Sequence, residues 1–193
     1  MFFRKAALRP IPRHAIIERH VIDTLESSLD AGDPSLQEAL DRGYAELDRR
    51  QPVVAEWVSE VLSDTEDELV QSVGYFLAVT LYLCFRDAFP RRLTEVSEEA
   101  LRMADETLRA DEELRAADPR EILDSDDVLA LRQPAIVAYL QHHVSEALEQ
   151  GEGEMNLEEL DALYRVLLVQ IIALSDAVSS PSGEVGPPRE MLA

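Results

Sequence analysis

Cysteine and lysine are almost absent from this chain of 193 residues, and each shortage excludes a class of protein. Cys84 is the only cysteine, so no disulfide can form within the chain, and a secreted scaffold held by disulfides is excluded. The first residues do not resemble a secretory signal, because Arg4 and Lys5 are followed by Pro10 before an apolar segment of adequate length. We therefore expect a cytoplasmic protein.

Positive charge is scarce as well. Lys5 is the only lysine, and 18 Lys and Arg face 39 Asp and Glu, which gives a formal net charge of −21. Because a protein that binds a phosphate backbone needs clustered cations, we expect no nucleic-acid partner. Two explanations of the acidity stay open: a genome rich in G and C, which favours arginine over lysine, or adaptation to high salt, which screens the repulsion between acidic groups.

The two ends of the chain differ from its middle. Residues 1–17 contain Arg4, Lys5, Arg9 and Arg13 and no acidic residue, so we expect residues 1–12 to form a basic arm that folds back on the acidic body. Residues 179–193 are rich in proline and glycine and are predicted to form a flexible tail.

Apolar residues recur at helical spacing along residues 13–178, and no stretch alternates with a period of two. The pattern predicts an all-α fold, a helical bundle of about eight helices in a single domain. The predicted ranges and starting points of these helices are 13–30, Asp33-Pro34, Gln51-Pro52, Ser63 to Glu66, 94–117, Asp118-Pro119, Gln133-Pro134 and 157–178.

The second half of the chain resembles the first. The segment that begins at Gln51-Pro52 aligns with the segment that begins at Gln133-Pro134, which places Trp57 opposite Tyr139. After seven extra residues in the acidic loop before the last helix, Tyr75 aligns with Tyr164. We therefore expect two duplicated four-helix units, residues 13–90 and 91–178, that share one core.

The fourth helix is apolar nearly all round. From Leu69 to Phe85 it has few polar side chains, and Gly74 leaves room for a close neighbour. This run is slightly shorter than a membrane span requires, so we expect no membrane span. An apolar helix in a soluble protein lies in the core or at an interface. We expect the fourth and eighth helices to form the buried central pair.

No pattern of catalytic or metal-binding residues is present. None of the four histidines follows a glutamate at the spacing used in di-iron bundles, and the acidic cluster Asp124 to Asp127 lacks the glycine and the closing glutamate of a calcium loop. His143 falls on the inward stripe of the seventh helix and its neighbour His142 falls outside it, so a half-buried and a solvated histidine are predicted. We expect no metal and no cofactor, and the sequence leaves open, without favouring it, that the chain is an enzyme.

These features favour a non-enzymatic, acidic helical interaction protein that forms a homodimer and has a protein partner. The alternative is a helical protein that binds an apolar small molecule in a pocket between its two halves. Candidate ligand-binding residues are the inward aromatic side chains and the polar groups near them, namely Trp57, Tyr75, Tyr139, His143, Tyr164 and Arg165.

Overall fold

A computed structural model describes residues 8, 10–30, 35–117, 124–151 and 155–181. Within these ranges the chain forms eight α-helices and a short 3-10 turn, Arg13–Ala15, which confirms the all-α bundle. The helices are α1 (Arg19–Asp30), α2 (Leu36–Arg50), α3 (Pro52–Asp64), α4 (Glu68–Ala88), α5 (Glu98–Ala116), α6 (Ser125–Ala130), α7 (Pro134–Gln150) and α8 (Leu157–Asp176).

The central elements of the core are α4 and α8, which pack against each other as predicted. The two helices approach closely at Gly74, where an added Cβ would lie 2.7 Å from side-chain carbons of Leu62 and Leu163. A side chain at this crossing would force the Leu62 and Leu163 side chains to shift, because the space is already filled. By length and composition α4 is also the one described helix that could cross a membrane, although 61% of its most apolar window is buried inside this fold.

Contacts at both ends fix the relative direction of α4 and α8. The carboxylate of Asp67, which caps α4, accepts a hydrogen bond of 2.7 Å from the backbone N–H of Asn156, which caps α8. At the opposite ends, the backbone N–H of Thr94 donates to the carbonyl of Ala177 at 3.0 Å. The two helices therefore run side by side in the same direction, and their N-terminal ends form one end of the molecule.

Around this pair, an outer helix of each half packs on the central helix of the other half. The third helix of the first half, α3, packs on α8, while α7 packs on α4. In the same way α1 contacts α4 and α7, and α5 contacts α8 and α3. These contacts of one half thus have counterparts in the other, whereas α2 and α3 also pack on α4. This correspondence agrees with the duplicated four-helix unit, which stays a prediction.

Two buried glutamines hold the halves together. Gln51, just before α3, donates to the carbonyl of Thr94 at 2.9 Å and accepts from the N–H of Val96 at 2.8 Å. Gln133, just before α7, donates to the carbonyl of Ala15 at 2.7 Å and accepts from the N–H of Ile17 at 3.0 Å. Each side chain satisfies backbone groups that precede the first helix of the other half, and the burial of both amides makes these bonds obligatory.

Several predicted helix ends were wrong by a few residues. Residues 63 and 64 end α3 and do not cap α4, whose cap is Asp67. The first long helix begins at Arg19 because the bonds of Gln133 to Ala15 and Ile17 hold residues 16–18 in a non-helical path, and α5 begins at Glu98 because Leu93 pairs with Val178. The proposed starts at 33–34 and 118–119 lie outside the described residues, where Ser35 and Asp124 are the nearest described caps.

Most of the predicted arm and tail also falls outside the described ranges. In the arm, Leu8 and residues 10–12 are described. The side chain of Leu8 is buried in the core, and its backbone N–H lies 3.5 Å from a carboxylate oxygen of Asp111. Residues 179–181 are exposed beyond the end of α8, and residues 182–193 are not described.

Candidate functional site

A first cleft opens between α2, α3 and α4, near the beginning of α4. It has a volume of about 520 Å³ and includes Tyr44 from α2, Ser59 and Leu62 from α3, and Ser72 and Tyr75 from α4 among its lining residues. The rings of Tyr44 and Tyr75 lie with their centroids 5.4 Å apart at a tilt of 34°. Among the described residues that line this cleft, none is charged.

The hydroxyl of Tyr75 is anchored at the edge of the first cleft. It donates a hydrogen bond of 3.0 Å to the carboxylate of Asp41, which also accepts one from the Gln37 amide at 2.8 Å. Burial, together with this neighbouring carboxylate, raises the pKa of Tyr75 to about 12. The hydroxyl therefore stays protonated at neutral pH and holds the ring in one orientation.

A second cleft opens between α6, α7 and α8, near the beginning of α8. Its volume is about 270 Å³, and its lining includes Asp126, Gln141, Val144, Ser145 and Tyr164. The Tyr164 hydroxyl donates to a carboxylate oxygen of Asp126 at 3.0 Å, and the Gln141 amide donates to the same oxygen at 3.3 Å. Burial first, and then Asp126, raise the pKa of Tyr164, so this tyrosine is also neutral and fixed.

The two clefts use corresponding positions of the sequence. In both, a tyrosine of the fourth helix donates to an acidic residue, and Tyr75 and Tyr164 are the pair that the sequence alignment matched. The other matched lining residues, taken first cleft then second, are Tyr44 and Asp126, Ser59 and Gln141, Leu62 and Val144, Ser63 and Ser145, Gln71 and Leu160, and Ser72 and Asp161. Matched residues of α3 and α7 are separated in the sequence by one constant number of positions. Matched residues of α4 and α8 are separated by seven positions more.

A side cleft of about 450 Å³ lies on the other flank of Tyr164, between α5, α6 and α8. Its cations are already paired: Arg165 bonds to Asp105 at 2.7 Å and to Glu112 at 3.1 Å, and Arg115 bonds to the buried Asp111. Burial opposes the charge on Asp111, but the hydrogen bond from Arg115 leads the effects that lower the pKa of this carboxyl. The Arg165 pairs hold α8 against α5, and the hydroxyl of Ser125 in α6 donates to Asp111 of α5 at 2.9 Å.

Three carboxylates at the start of α6 lie close enough to share a cation. Suitable oxygens of Asp124, Asp126 and Asp127 all lie within 4.8 Å of one another. Two of the three have other bonds, because Asp127 accepts from the N–H of Asp124 as a helix cap and Asp126 accepts from Tyr164. Helix capping explains this cluster without a metal, and the absence of a metal stays a prediction.

The remaining candidate residues lie elsewhere. His143 and Tyr139 of α7 face α1 and α4, with their rings 4.5 Å apart and Phe76 at 5.1 Å from His143. Glu146 and Glu26 lie 3.2 and 3.9 Å from the His143 nitrogens, but burial dominates and lowers the pKa of this histidine. As predicted, His143 is half-buried while His142 is exposed.

Trp57 lies on α3, half-buried, and its indole N–H has no partner among the described residues. Burial raises the pKa of Cys84 to about 12, so the thiol is an inert core group. The structure therefore places the six candidate residues in separate regions: Tyr75 in the first cleft, Tyr164 and Arg165 on α8 at the second and side clefts, Tyr139 and His143 beside α1 and α4, and Trp57 on α3.

Sequence reasoning missed the partners of the two tyrosines, Asp41, Tyr44 and Asp126. The spacing that aligns Gln51 with Gln133 also places Tyr44 opposite Asp126, so extending the alignment back into α2 would have found this pair.

Comparison with known proteins gives no match at the level of protein-family models, curated proteins or solved structures.

Proposed function

We propose that this chain is a non-enzymatic, acidic helical interaction protein that binds polypeptides at the end of the molecule where α4 and α8 begin. One observation supports this role above the others. Two clefts, each centred on a fixed tyrosine, open beside the first turns of α4 and α8. Tyrosine is enriched at protein interfaces because its ring supplies contact area at a small cost in side-chain entropy.

The surface beside the second cleft has the apolar character of an interface. Leu157, which lines it, is 65% exposed, and Leu148 near the end of α7 is 39% exposed. Exposed leucines beside polar and aromatic side chains resemble the mixture found at non-obligate protein contacts. This end of the molecule therefore offers apolar contact area together with polar groups that fix orientation.

Self-association as a homodimer belongs to the same proposal. Leu157 and Leu148 supply apolar area that a second copy would cover. Native mass spectrometry of gently purified protein measures the mass directly. A dimer that Leu157→Glu converts to monomer supports self-association at this end, and a monomer at every concentration contradicts it.

Photo-cross-linking in cells tests the interaction role. A photoreactive amino acid replaces Ser72 or Ser145, which are exposed positions lining the first and second clefts, or Arg91, which is exposed beyond the far end of α4. We expect discrete cross-linked protein species from the first two positions and none from the Arg91 control. Cross-links from Arg91 alone would contradict the proposed surface.

The alternative role, binding of a small molecule, is favoured by one feature of the first cleft. Its volume is within the range of ligand pockets, and its lining combines two tyrosines with uncharged polar groups. Native mass spectrometry also tests this role, because a retained ligand adds mass to the protomer. The mass excess should vanish in Tyr75→Leu if the ligand occupies this cleft.

A cytoplasmic location, the absence of a membrane span and the absence of a nucleic-acid partner remain predictions. Adaptation to salt is likewise a prediction, and it has a direct test. If the acidic surface is adapted to high salt, the free energy of unfolding should rise steeply as potassium chloride is added. A flat dependence would favour the explanation from genome composition.

A further inference from the structure

Both clefts present hydrogen-bond acceptors. In the first cleft, the hydroxyl of Tyr75 donates to Asp41, and the hydroxyls of Ser63 and Ser72 donate to carbonyls of their own helices. The Gln71 amide donates to the carbonyl of Leu62. The oxygen atoms of these groups keep free lone pairs, so they can accept hydrogen bonds from a ligand that carries donors.

The second cleft repeats this arrangement with formal negative charge. The hydroxyl of Tyr164 and the amide of Gln141 both donate to Asp126, and the hydroxyl of Ser145 donates to the carbonyl of Gln141. Asp161, which is exposed and also lines the cleft, is an acceptor when ionised. Among the described residues that line these two clefts, none is lysine or arginine, so no cation of the chain itself supplies the missing donors.

The negative charge of the chain also favours a ligand that supplies hydrogen-bond donors, because it favours a cation. The chain carries a net charge of −21, and acidic residues continue across the end of the molecule between the clefts, at Asp64, Glu66, Asp67, Glu158 and Glu159. A cleft in such a field concentrates cations. The rings of Tyr44, Tyr75 and Tyr164 add faces on which an ammonium or guanidinium group stacks favourably.

Resting on the interaction role proposed above, we infer that the partner is a basic polypeptide segment whose arginine or lysine side chains occupy the two clefts. Each cleft would take one cationic head, with its donors directed at the free acceptors and its charge near a tyrosine ring. The acidic surface between the clefts would neutralise the basic residues that connect the two anchors. A polypeptide, unlike a single small cation, occupies both clefts at once and gains from bivalency.

Isothermal titration of the full chain with an octa-arginine peptide at physiological salt tests this inference. We expect one peptide to bind per chain. Tyr75→Leu and Tyr164→Leu each leave the net charge unchanged, and each should weaken binding about five-fold through loss of a cation–π contact. Unchanged affinity in both variants would overturn the inference, since it would reduce the binding to unspecific attraction between opposite charges.

A matched pair of charge variants on α2 provides a second readout. Asp41→Asn removes the carboxylate beside Tyr75, whereas Asp48→Asn removes an exposed carboxylate farther along the same helix. We expect Asp41→Asn to weaken peptide binding several-fold more than Asp48→Asn. Equal effects would contradict a specific site at the first cleft. A thermal melt of each variant, followed by circular dichroism, establishes that it is folded.

Two further outcomes separate this inference from the interaction role itself. If spermidine binds as tightly as octa-arginine, the clefts take small cations and the polypeptide partner is wrong. If photo-cross-links form at Ser72 and Ser145 but octa-arginine does not bind, the interaction surface stands and the basic chemistry of the partner is wrong.

Discussion

The half of the molecule that ends in α4 and the half that ends in α8 make corresponding contacts with different side chains. In the first half the cleft residue facing Tyr75 is Tyr44, and in the second the corresponding position holds Asp126. In the same helices, Leu81 and Gln170 occupy corresponding buried positions, one apolar and one polar. The arrangement of helices accommodates a polar side chain at both positions, because Asp126 accepts from Tyr164 and the Gln170 amide N–H donates to the carbonyl of Ala78.

The first helix of each half, α1 or α5, places a carboxylate beside a different kind of basic side chain. We call these two contacts the first and the second junction. Where α1 meets α7, the carboxylate of Glu26 lies 3.9 Å from His143, whose pKa burial lowers from the ordinary histidine value. Where α5 meets α8, the carboxylate of Asp105 lies 2.7 Å from Arg165, whose charge is permanent. The first junction should therefore respond to pH between the ordinary pKa of histidine and that of carboxylates, and the second should not.

The largest effect is expected in the central pair. Leu81→Asp would place a carboxylate at a position with no solvent exposure, and the cost is comparable with the whole stability of a domain of about 5–15 kcal/mol. We expect this variant to be unfolded by circular dichroism.

A substitution at the corresponding position of α8, Gln170, should have the opposite effect on stability. Gln170 donates to the carbonyl of Ala78 at 2.9 Å, but its own amide oxygen is buried and has no partner within the part of the chain that the structure describes. Gln170→Leu should therefore leave the melting temperature unchanged or raise it. A wild-type melting temperature for Leu81→Asp, or an unfolded Gln170→Leu, would contradict the placement of both helices in the core.

The next largest loss of stability is expected when either of the two buried glutamines is replaced. Gln133→Ala leaves the N–H of Ile17 and the carbonyl of Ala15 without their partner and also removes a 3.0 Å bond to Ser175. We expect a loss of about 3 kcal/mol in the free energy of unfolding, measured by urea denaturation.

Gln51→Ala removes two bonds to the backbone, and a loss of about 2 kcal/mol is expected. If either variant changes stability by less than the error of the measurement, the glutamines do not join the halves. If Gln51→Ala loses more stability than Gln133→Ala, the extra bond to Ser175 makes no net contribution to the free energy of unfolding.

A smaller effect distinguishes the two junctions by pH. Burial keeps the pKa of His143 below the ordinary histidine value of about 6.5, so its contribution to stability is present above that pH and is lost as the pH falls through the pKa of the folded state. Unfolding free energies measured from pH 7 to pH 5 should fall less in His143→Gln than in the wild type. The same slope in both proteins would remove His143 as the cause.

Carboxylates act in a lower pH range than this histidine. The backbone N–H of Asn156 leads the hydrogen bonds that lower the pKa of Asp67, and the Arg115 bond lowers the pKa of Asp111 despite its burial. Their contributions are present above the ordinary aspartate pKa of about 4 and are lost only as the pH falls below it. An Asp111→Asn variant should therefore show no added slope between pH 7 and pH 5.

The smallest effects concern the cleft tyrosines. Tyr75→Phe and Tyr164→Phe each remove one hydroxyl-to-carboxylate bond and should cost about 1 kcal/mol in the free energy of unfolding. The pKa of Tyr75 is raised to about 12, so its contribution is present below the ordinary value of about 10 and is lost as the pH rises from 10 to 12. Tyr75→Phe should therefore reduce the alkaline loss of stability, and an unchanged alkaline transition would contradict the bond to Asp41.

The sequence predicted the parts of this fold that depend on local pattern. Helical periodicity gave the all-α class, and the apolar run around Gly74 identified α4 as a core helix because few polar groups interrupt it. The matched Tyr75 and Tyr164 did come to corresponding places. These features follow from residue spacing along single helices, which a sequence records directly.

The packing of α3 on α8 and of α7 on α4 was not predictable from the spacing of residues along single helices. An apolar stripe on α3 shows that the helix packs, but it does not say whether the neighbour is α4 or α8. The roles of Gln51 and Gln133 were hidden for a similar reason, because their partners lie before α5 and α1, far away in the chain. The clefts depend on the angles between helices, which periodicity does not specify.

The most direct test of the proposed interaction surface is hydroxyl-radical footprinting of the full chain, alone and with the partner captured by photo-cross-linking. We expect partner binding to protect Tyr44, Tyr75, Tyr164 and Leu157 from oxidation, while Leu131, which is 76% exposed on the turn after α6, is oxidised equally in both samples. Protection of Leu131 with unchanged oxidation of the three tyrosines would contradict the assignment of the two clefts as the binding surface.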